Sequence, residues 1–199
     1  RYWSKTNKWF INSYKDSWIE EIIHGPVKLR EQCSVSAAKL IGAKTILDLG
    51  CGPCRVLSRA LIESNADKAI GLDFSKSMLE ESSKYIASLD LSNEVLLEEA
   101  DLIKLEKYPE ADIAFGLGLF DYIDDPKVIL EKAHQSCQYL VASWPAPNLR
   151  NFLRKFRYSC PIFTYSKNDI IKLFNGININ SIDFISAGGF SGFITITRN

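Results

Sequence analysis

The sequence predicts an α/β fold with a doubly wound, mostly parallel sheet, on three observations. Short β-rich runs alternate with helical patterns from Lys44 to Trp144. The early runs are near-continuously apolar, as strands covered on both faces read. The last segment, 177–199, reads differently, as two strands around a glycine-rich loop, so an antiparallel hairpin is expected to finish the sheet.

Each element has its own signal. Trp9, Phe10, Tyr14, Trp18, Ile19, Ile22 and Ile23 recur at spacings of three and four, which predicts a helix from about Ser4 to His24. Pro26 suits the first turn of a second helix that Gly42 ends. "KTILDLG" is the first strand, followed by a glycine turn and a helix to about Glu63. "KAIGLD" is the second strand, and "SKSMLEESSKYIASL" is a helix capped by Ser75. "NEVLLEEA" and "ADIAFGLG" are strands three and four. Pro126 opens a helix to about Ser136, and "CQYLVASW" is strand five. Beyond Trp144 the aromatic, basic stretch "PAPNLRNFLRKFRYSCPIFTYS" precedes a short helix, "KNDIIKLF", and the two closing strands.

Composition narrows the function classes. The 199 residues are 46% hydrophobic and 24% charged, which is ordinary globular composition. Lys plus Arg, 24, equals Asp plus Glu, 24, so no overall positive field favours sequence-independent nucleic-acid binding. No apolar run approaches the roughly 18 residues that span a bilayer, and "RYWSKTNKWF" lacks the continuous apolar core of a signal peptide. A cytoplasmic protein without membrane or nucleic-acid partners is expected, its oligomeric state open. Five scattered cysteines, Cys33, Cys51, Cys54, Cys137 and Cys160, are unlike a disulfide framework and are expected reduced. His24 and His134 have no metal-ligand companion at a credible spacing, so no metal is expected.

The chemistry concentrates at strand ends. "ILDLGCGPCRVL" places Asp48 at the tip of strand one and Gly50 and Gly52 in the turn beyond it, where glycine lets a ligand approach the main chain. "AIGLDFS" ends strand two in Asp73, where a carboxylate can take both hydroxyls of a ribose. Its bland alternative is a helix cap, a place Ser75 already fills. Strand three ends in "EEADLIKL", where Asp101 can take the exocyclic amine of an adenine between apolar Ala100 and Leu102.

Together "ILDLGCGPCRVL", "IGLDFSKSMLE", "EEADLIKL" and "ADIAFGLGLFDYIDDP" resemble, in order and spacing over residues 44–144, the class I S-adenosylmethionine-dependent methyltransferases of the small-molecule type. The resemblance implies a seven-stranded sheet in a Rossmann-like methyltransferase fold. It also implies S-adenosylmethionine as methyl donor, S-adenosylhomocysteine as product, and no metal. Carried over by position, Asp48, Gly50, Cys51 and Gly52 hold the methionine half, Asp73 with Phe74 and Met78 the ribose side, and Asp101 with Leu102 the adenine. Gly116 presents main chain to the donor's amino group, Leu117, Leu119 and Phe120 pack near the donor methyl, and Tyr14 closes over the donor. Family members often carry glycine where this chain has Cys54, a departure that narrows the turn if its side chain faces the donor.

One domain is expected: a helical cap over 1–43, a donor-binding core over 44–144, an acceptor lid over 145–176 and a terminal hairpin over 177–199. Asp121 is a candidate general base and Tyr122 a candidate acceptor-facing group. Trp18, Phe120, Trp144 and Tyr165 are candidate acceptor walls, each with packing as its alternative role. Arg150, Arg154 and Arg157, at spacings of four and three, would share one helical face and serve a small acceptor bearing a carboxylate or phosphate. An oxygen, nitrogen or carbon nucleophile on a small molecule is the expected acceptor.

Three rivals remain. A catalytically silent donor-binding or scaffold member of the same fold would have a degraded pocket. Cys51-Gly52-Pro53-Cys54 has the spacing of a thioredoxin-like dithiol but lacks an aromatic before Cys51 and a facing cis-proline loop. A dinucleotide fingerprint wants a third glycine where Arg55 stands.

Overall fold

A computed structural model describes residues 18–148, 151–152, 161–186 and 192–199. Helix α1, Trp18–Ile41, precedes strand β1, Thr45–Leu49, helix α2, Arg55–Ser64, strand β2, Lys68–Asp73, and helix α3, Lys76–Ser88. Strands β3, Val95–Glu99, and β4, Ala111–Gly116, follow, then helix α4, Lys127–Ser136, strand β5, Cys137–Pro145, helix α5, Lys167–Leu173, and strands β6, Ser181–Ser186, and β7, Gly192–Arg198. They form one seven-stranded sheet in the order β3-β2-β1-β4-β5-β7-β6. β1 to β5 pair in parallel, and β7 runs antiparallel to both β5 and β6. This is the doubly wound arrangement with a terminal hairpin that the sequence predicts.

The period of two along each strand divides the apolar residues between two layers. Leu47, Leu49, Ala114 and Leu140 face Ile129, Leu130 and Ala133 of α4 and Ile170 of α5. Ile46, Ala69, Ile113, Phe115 and Val141 face Val35 and Ala38 of α1, Leu57, Ala60 and Leu61 of α2, and Leu79 and Ile86 of α3. β3 departs from the apolar reading: it is an edge strand, and Leu96, Glu98 and Glu99 are exposed. At an edge only one flank is paired and the outer face need not be covered.

Helix starts are set by local chemistry. Ser166 Oγ accepts the Asp169 N–H while the Asp169 carboxylate accepts the Ser166 N–H, a reciprocal cap that begins α5. Ser75 occupies the cap position of α3 without accepting a helix N–H through its hydroxyl, which pairs with that of Ser77 at 3.1 Å. The N-terminal expectation needs a larger correction. α1 passes unbroken through Gly25 and Pro26, where two helices were expected, although proline has no N–H to donate to the preceding turn. Packing of α1 against α2 and the sheet, through Val35 and Ala38, outweighs one missing hydrogen bond.

The aromatic centre of the α4/α5 layer is Trp144. Its ring stacks on Phe120 at 4.3 Å with 6° between planes and meets Tyr165 edge-on at 5.3 Å. Its indole N–H donates to Thr195 Oγ1 at 2.9 Å, joining β5 to β7, and Tyr165 OH donates to the Ile123 carbonyl at 2.8 Å. With Phe120 0% and Trp144 2% exposed, these are core residues, not the acceptor walls that their position in the sequence suggested. Trp144→Ala is expected to cost about 3–5 kcal/mol in denaturant unfolding, whereas Trp144→Phe, keeping most of the packing, is expected to cost less than half as much; equal effects of the two would refute this packing account.

Candidate functional site

Strand order reverses between β1 and β4, so their connections leave the sheet in opposite directions and open a crevice at the carboxyl edge. A cavity of about 420 Å³ lies there. Its wall takes Asp48, Gly50, Cys51 and Gly52 from the first turn, Asp73, Phe74 and Met78 from the second, Asp101 and Leu102 from the third, and Leu117, Gly118, Leu119 and Tyr122 from the loop after β4. Residues from four successive strand ends therefore meet in one space.

The first turn is shaped by its hydrogen bonds. The N–H groups of Gly50 and Cys51 both donate to the Leu72 carbonyl, at 2.8 and 3.0 Å, folding the chain back over β2. Gly50 and Gly52 have φ of +74° and +51°, in the left-handed region that glycine enters without a Cβ penalty. The Gly52 N–H donates to Asp73 Oδ2 at 2.9 Å, and its carbonyl accepts from Ser82 Oγ. Asp73 Oδ1 accepts the Ser75 N–H at 2.9 Å. The Ser75 hydroxyl thus does not make the expected cap, and Asp73, holding the Ser75 N–H, locks the second turn to the first. The Phe74 amide also donates to this carboxylate, which leaves acceptor capacity for one further donor.

Electrostatically the floor is strained. Asp48 is 4% and Asp73 7% exposed. Burial first, and then the nearby Asp73 charge, push the Asp48 carboxyl up to about 7, with the Arg30 guanidinium pulling the other way. Burial also raises Asp73, opposed by the amides of Ser75, Gly52 and Phe74. Asp101 is the contrary case: its side chain is 46% exposed, paired with Lys104 at 3.1 Å, and held below the usual carboxylate range by that lysine. Oδ1 of Asp101 also accepts the Ile103 N–H at 3.1 Å, so it caps its own turn while bordering the cavity.

Other expected residues fall elsewhere. Gly116 is buried in β4, where a Cβ would stand 3.1 Å from Phe120 Cε2, and it does not border the cavity; Gly118, with φ +69°, does. Asp121 is buried at 7% exposure and is not part of the cavity wall, whereas its neighbour Tyr122 is. Trp144, Phe120 and Tyr165 lie in the core. Tyr14, Arg150, Arg154 and Arg157 lie outside the described residues, as does the side chain of Trp18. The sequence reading missed Arg30, Val56, Ile103, Ile123 and Pro161 and gave Arg55 no place in the site, and all of these line the cavity, as does the expected Leu119. Arg30 had no local signal, because only the packing of α1 brings it to the strand tips.

The two cysteines of the turn are structural. Cys54 sits at φ +56°, which explains why glycine suits this position and costs a cysteine about 1 kcal/mol. Its side chain is fully buried and away from the cavity, so it does not narrow the donor space. A Cβ on Gly71 would lie 2.9 Å from Cys51 Sγ, so that sulfur fills the space a glycine leaves in β2. A hydrogen bond with Cys54, burial and the charges of Asp48 and Asp73 all push the Cys51 thiol well above its ordinary value. A dithiol oxidoreductase needs the opposite, a thiolate at neutral pH. Among the described residues no group of three or more His, Cys, Asp or Glu could hold a metal ion, and no helix is long and apolar enough to cross a membrane.

Two outcomes follow from these charges. Because the folded state raises Asp48 above its unfolded value of 3.8, its contribution is fully favourable below about pH 4 and is lost as pH rises through about 7. At about 1.36 kcal/mol per unit, the ionised carboxylate costs the ligand-free protein up to about 4 kcal/mol above pH 7. Asp48→Asn is therefore expected to raise the melting temperature by several degrees at pH 8 and by nothing at pH 4; an equal change at both would show that charge is not the cause. Wild-type protein is also expected to reduce insulin disulfides no faster than buffer, and turnover that disappears in Cys51→Ser would restore the redox reading.

Residues 47–138 match the family model described as a methyltransferase domain. No curated protein sequence matches the chain significantly. The methyltransferase domain of bacterial CtHen1 superposes with TM-score 0.71 at 19% identity, covering 87% of this chain and all of that domain. Magnesium protoporphyrin IX methyltransferase from Synechocystis PCC 6803, solved with bound S-adenosylhomocysteine, gives TM-score 0.75 at 16% identity over 98% of this chain and 97% of that one. Human N-acetylserotonin methyltransferase, solved with S-adenosylmethionine, gives 0.68 at 14% over 92% and 56%. At these identities the likeness establishes the fold, and the family match covers the strand-tip motifs that line the cavity.

Proposed function

We propose that the protein transfers the methyl group of S-adenosylmethionine to an oxygen, nitrogen or carbon nucleophile of a small organic molecule in the cytoplasm, leaving S-adenosylhomocysteine. The observation that carries the proposal is the meeting of Asp48, Asp73 and Asp101 in one cavity with a glycine turn between the first two. The residues fit such a donor. Asp48 and the open main chain of Gly50 and Gly52 suit an amino-acid tail, Asp73 a ribose, and Asp101 with Leu102 and Ile103 an adenine. Bound there, S-adenosylmethionine would supply a methyl group on a positively charged sulfur, which a nucleophile displaces directly.

The chain's own contribution is alignment and exclusion of water. Leu117, Leu119, Tyr122, Ile123 and Pro161 make the cavity's far wall, largely apolar, with one phenol. Tyr122 orients the acceptor by hydrogen bonding in this reading. Asp121 as general base loses support, because its carboxylate is not on the wall. A small acceptor is favoured by that compact wall and by the zero net charge of the chain. The resemblance of the fold to a solved N-acetylserotonin methyltransferase and a magnesium protoporphyrin IX methyltransferase supports the same class. The spacing of Arg150, Arg154 and Arg157 in the sequence favours an acidic acceptor. The silent-scaffold alternative rested on Cys54, which lies away from the cavity.

S-adenosylhomocysteine is expected to raise the melting temperature of the protein, and Asp73→Ala to abolish that shift. A pocket indifferent to millimolar S-adenosylhomocysteine would refute the proposal. In transfer assays with a panel of small phenols, carboxylates and amines, Tyr122→Phe is expected to raise acceptor KM about tenfold, corresponding to one lost hydrogen bond, with donor binding unchanged.

A further inference from the structure

The turn after β3 borders the cavity through Asp101, Leu102 and Ile103, while many of its main-chain polar groups are spent within the fold. Its amides gather on Asp101: the Lys104 and Leu105 N–H groups donate to the Asp101 carbonyl, both at 3.0 Å, and the Ile103 N–H donates to Oδ1. Its carbonyls are held by side chains from farther along the chain. Lys132 Nζ, on α4, donates to the Ile103 carbonyl at 2.8 Å and to the Leu105 carbonyl at 2.5 Å. Tyr108 OH donates to the Leu102 carbonyl at 2.8 Å. Neither Lys132 nor Tyr108 lines the cavity.

Tyr108 is buried, and its own carbonyl accepts from Ser136 Oγ at 3.0 Å. Helix α4 therefore grips the turn twice, directly through Lys132 and through Ser136 by way of Tyr108. The Lys132 ammonium also stands 6.0 Å from the centre of the Tyr108 ring, at the outer limit of cation–π attraction. The helix is itself fixed, with Ile129, Leu130 and Ala133 fully buried. Holding a lysine in one conformation gives up rotamer freedom that a surface lysine keeps, and bonds from an ammonium to carbonyls are of the strong, charge-assisted kind. The helix thereby sets where the rim of Asp101, Leu102 and Ile103 stands relative to the floor at Asp48 and Asp73.

We propose that Lys132 is a positioning residue for the adenine of the donor: it acts through the main chain of Ile103 and Leu105 without touching the ligand, and with Tyr108 it holds the turn after β3 in the shape that receives the base. This rests on the assignment of the cavity to S-adenosylmethionine. Loss of the ammonium releases two carbonyls, loosens the turn and adds its ordering to the cost of binding.

Hydrogen exchange and titration calorimetry of the full chain test it, with S-adenosylhomocysteine as the probe. Lys132→Met keeps the length of the stem and removes the ammonium. It is expected to speed amide exchange at least tenfold at residues 103–105, whose N–H groups are bonded to Asp101, to leave β1 and β2 as in wild type, and to weaken S-adenosylhomocysteine at least threefold. Lys132→Arg, which can still donate to two carbonyls, is expected to recover at least half of that loss on a logarithmic scale. If Lys132→Met does not fold, Tyr108→Phe, which removes only the hydroxyl holding Leu102, decides the matter by the same two readings. A smaller loss of affinity, exchange in the turn that is less accelerated or that spreads over the sheet, or an arginine variant that recovers less than half overturns the positioning role and leaves the donor site standing. Wild-type protein that does not bind millimolar S-adenosylhomocysteine overturns the donor site and this role together.

Discussion

The carboxylate of Asp73 is the constraint on which the site depends. One oxygen holds the Gly52 N–H of the first strand turn and the other holds the Ser75 N–H at the start of α3, each at 2.9 Å. Two connections that lie 21 residues apart in the chain at their closest bond are thereby fixed as one rigid edge. Ser82 reinforces it by donating to the Gly52 carbonyl. Such a prearranged edge lowers the ordering cost of binding, since the main chain need not reorganise around a ligand. Without this carboxylate the glycines would give the turn freedom instead of a shape.

The same arrangement carries an electrostatic penalty. Two acids, Asp48 and Asp73, are buried beside each other, with compensation among the described residues from backbone amides and one guanidinium. Buried like charges are unfavourable for folding, and natural proteins tolerate them where a ligand will neutralise them. The core below offsets the cost. Trp144, Phe120 and Tyr165, with β7 drawn against β5 through Thr195, give a dense aromatic layer beneath the crevice. Stability is concentrated beneath the sheet's edge and given up at the edge itself.

The legible part of the sequence was the local part. The runs "ILDLG", "KAIGLD" and "ADIAFG" announced strands because burial on both faces leaves little choice but apolar residues, and Asp48 and Asp73 near the ends of the first two mark the crevice. Pro26 misled because a proline can be absorbed by a long helix that packs well. The ambiguous aromatics misled for a related reason: Phe120, Trp144 and Tyr165 have compositions suited either to an apolar wall or to a core, and only their mutual stacking decides. Asp73 was read as a ribose ligand or a cap, whereas carboxylate geometry allows both at once. Arg30 was invisible, since its place is fixed by how α1 lies across the sheet and not by its neighbours in the chain.

Hydrogen bonds among the described residues fix both ends of the connection between β5 and α5. The Tyr165 N–H donates to the Pro145 carbonyl at 2.8 Å, and the Phe163 N–H to the carbonyl of Asp121 at 2.9 Å. When the two ends of an excursion are pinned together, its length affects the folded core only through a slowly growing closure entropy. Insertions and deletions between those pins are expected to leave the hydrogen-bond ladder of the sheet in register. The length of that stretch can therefore change without moving the strands, provided that Asn151 and Ile162, which are buried, and Pro161, which lines the cavity, keep their places.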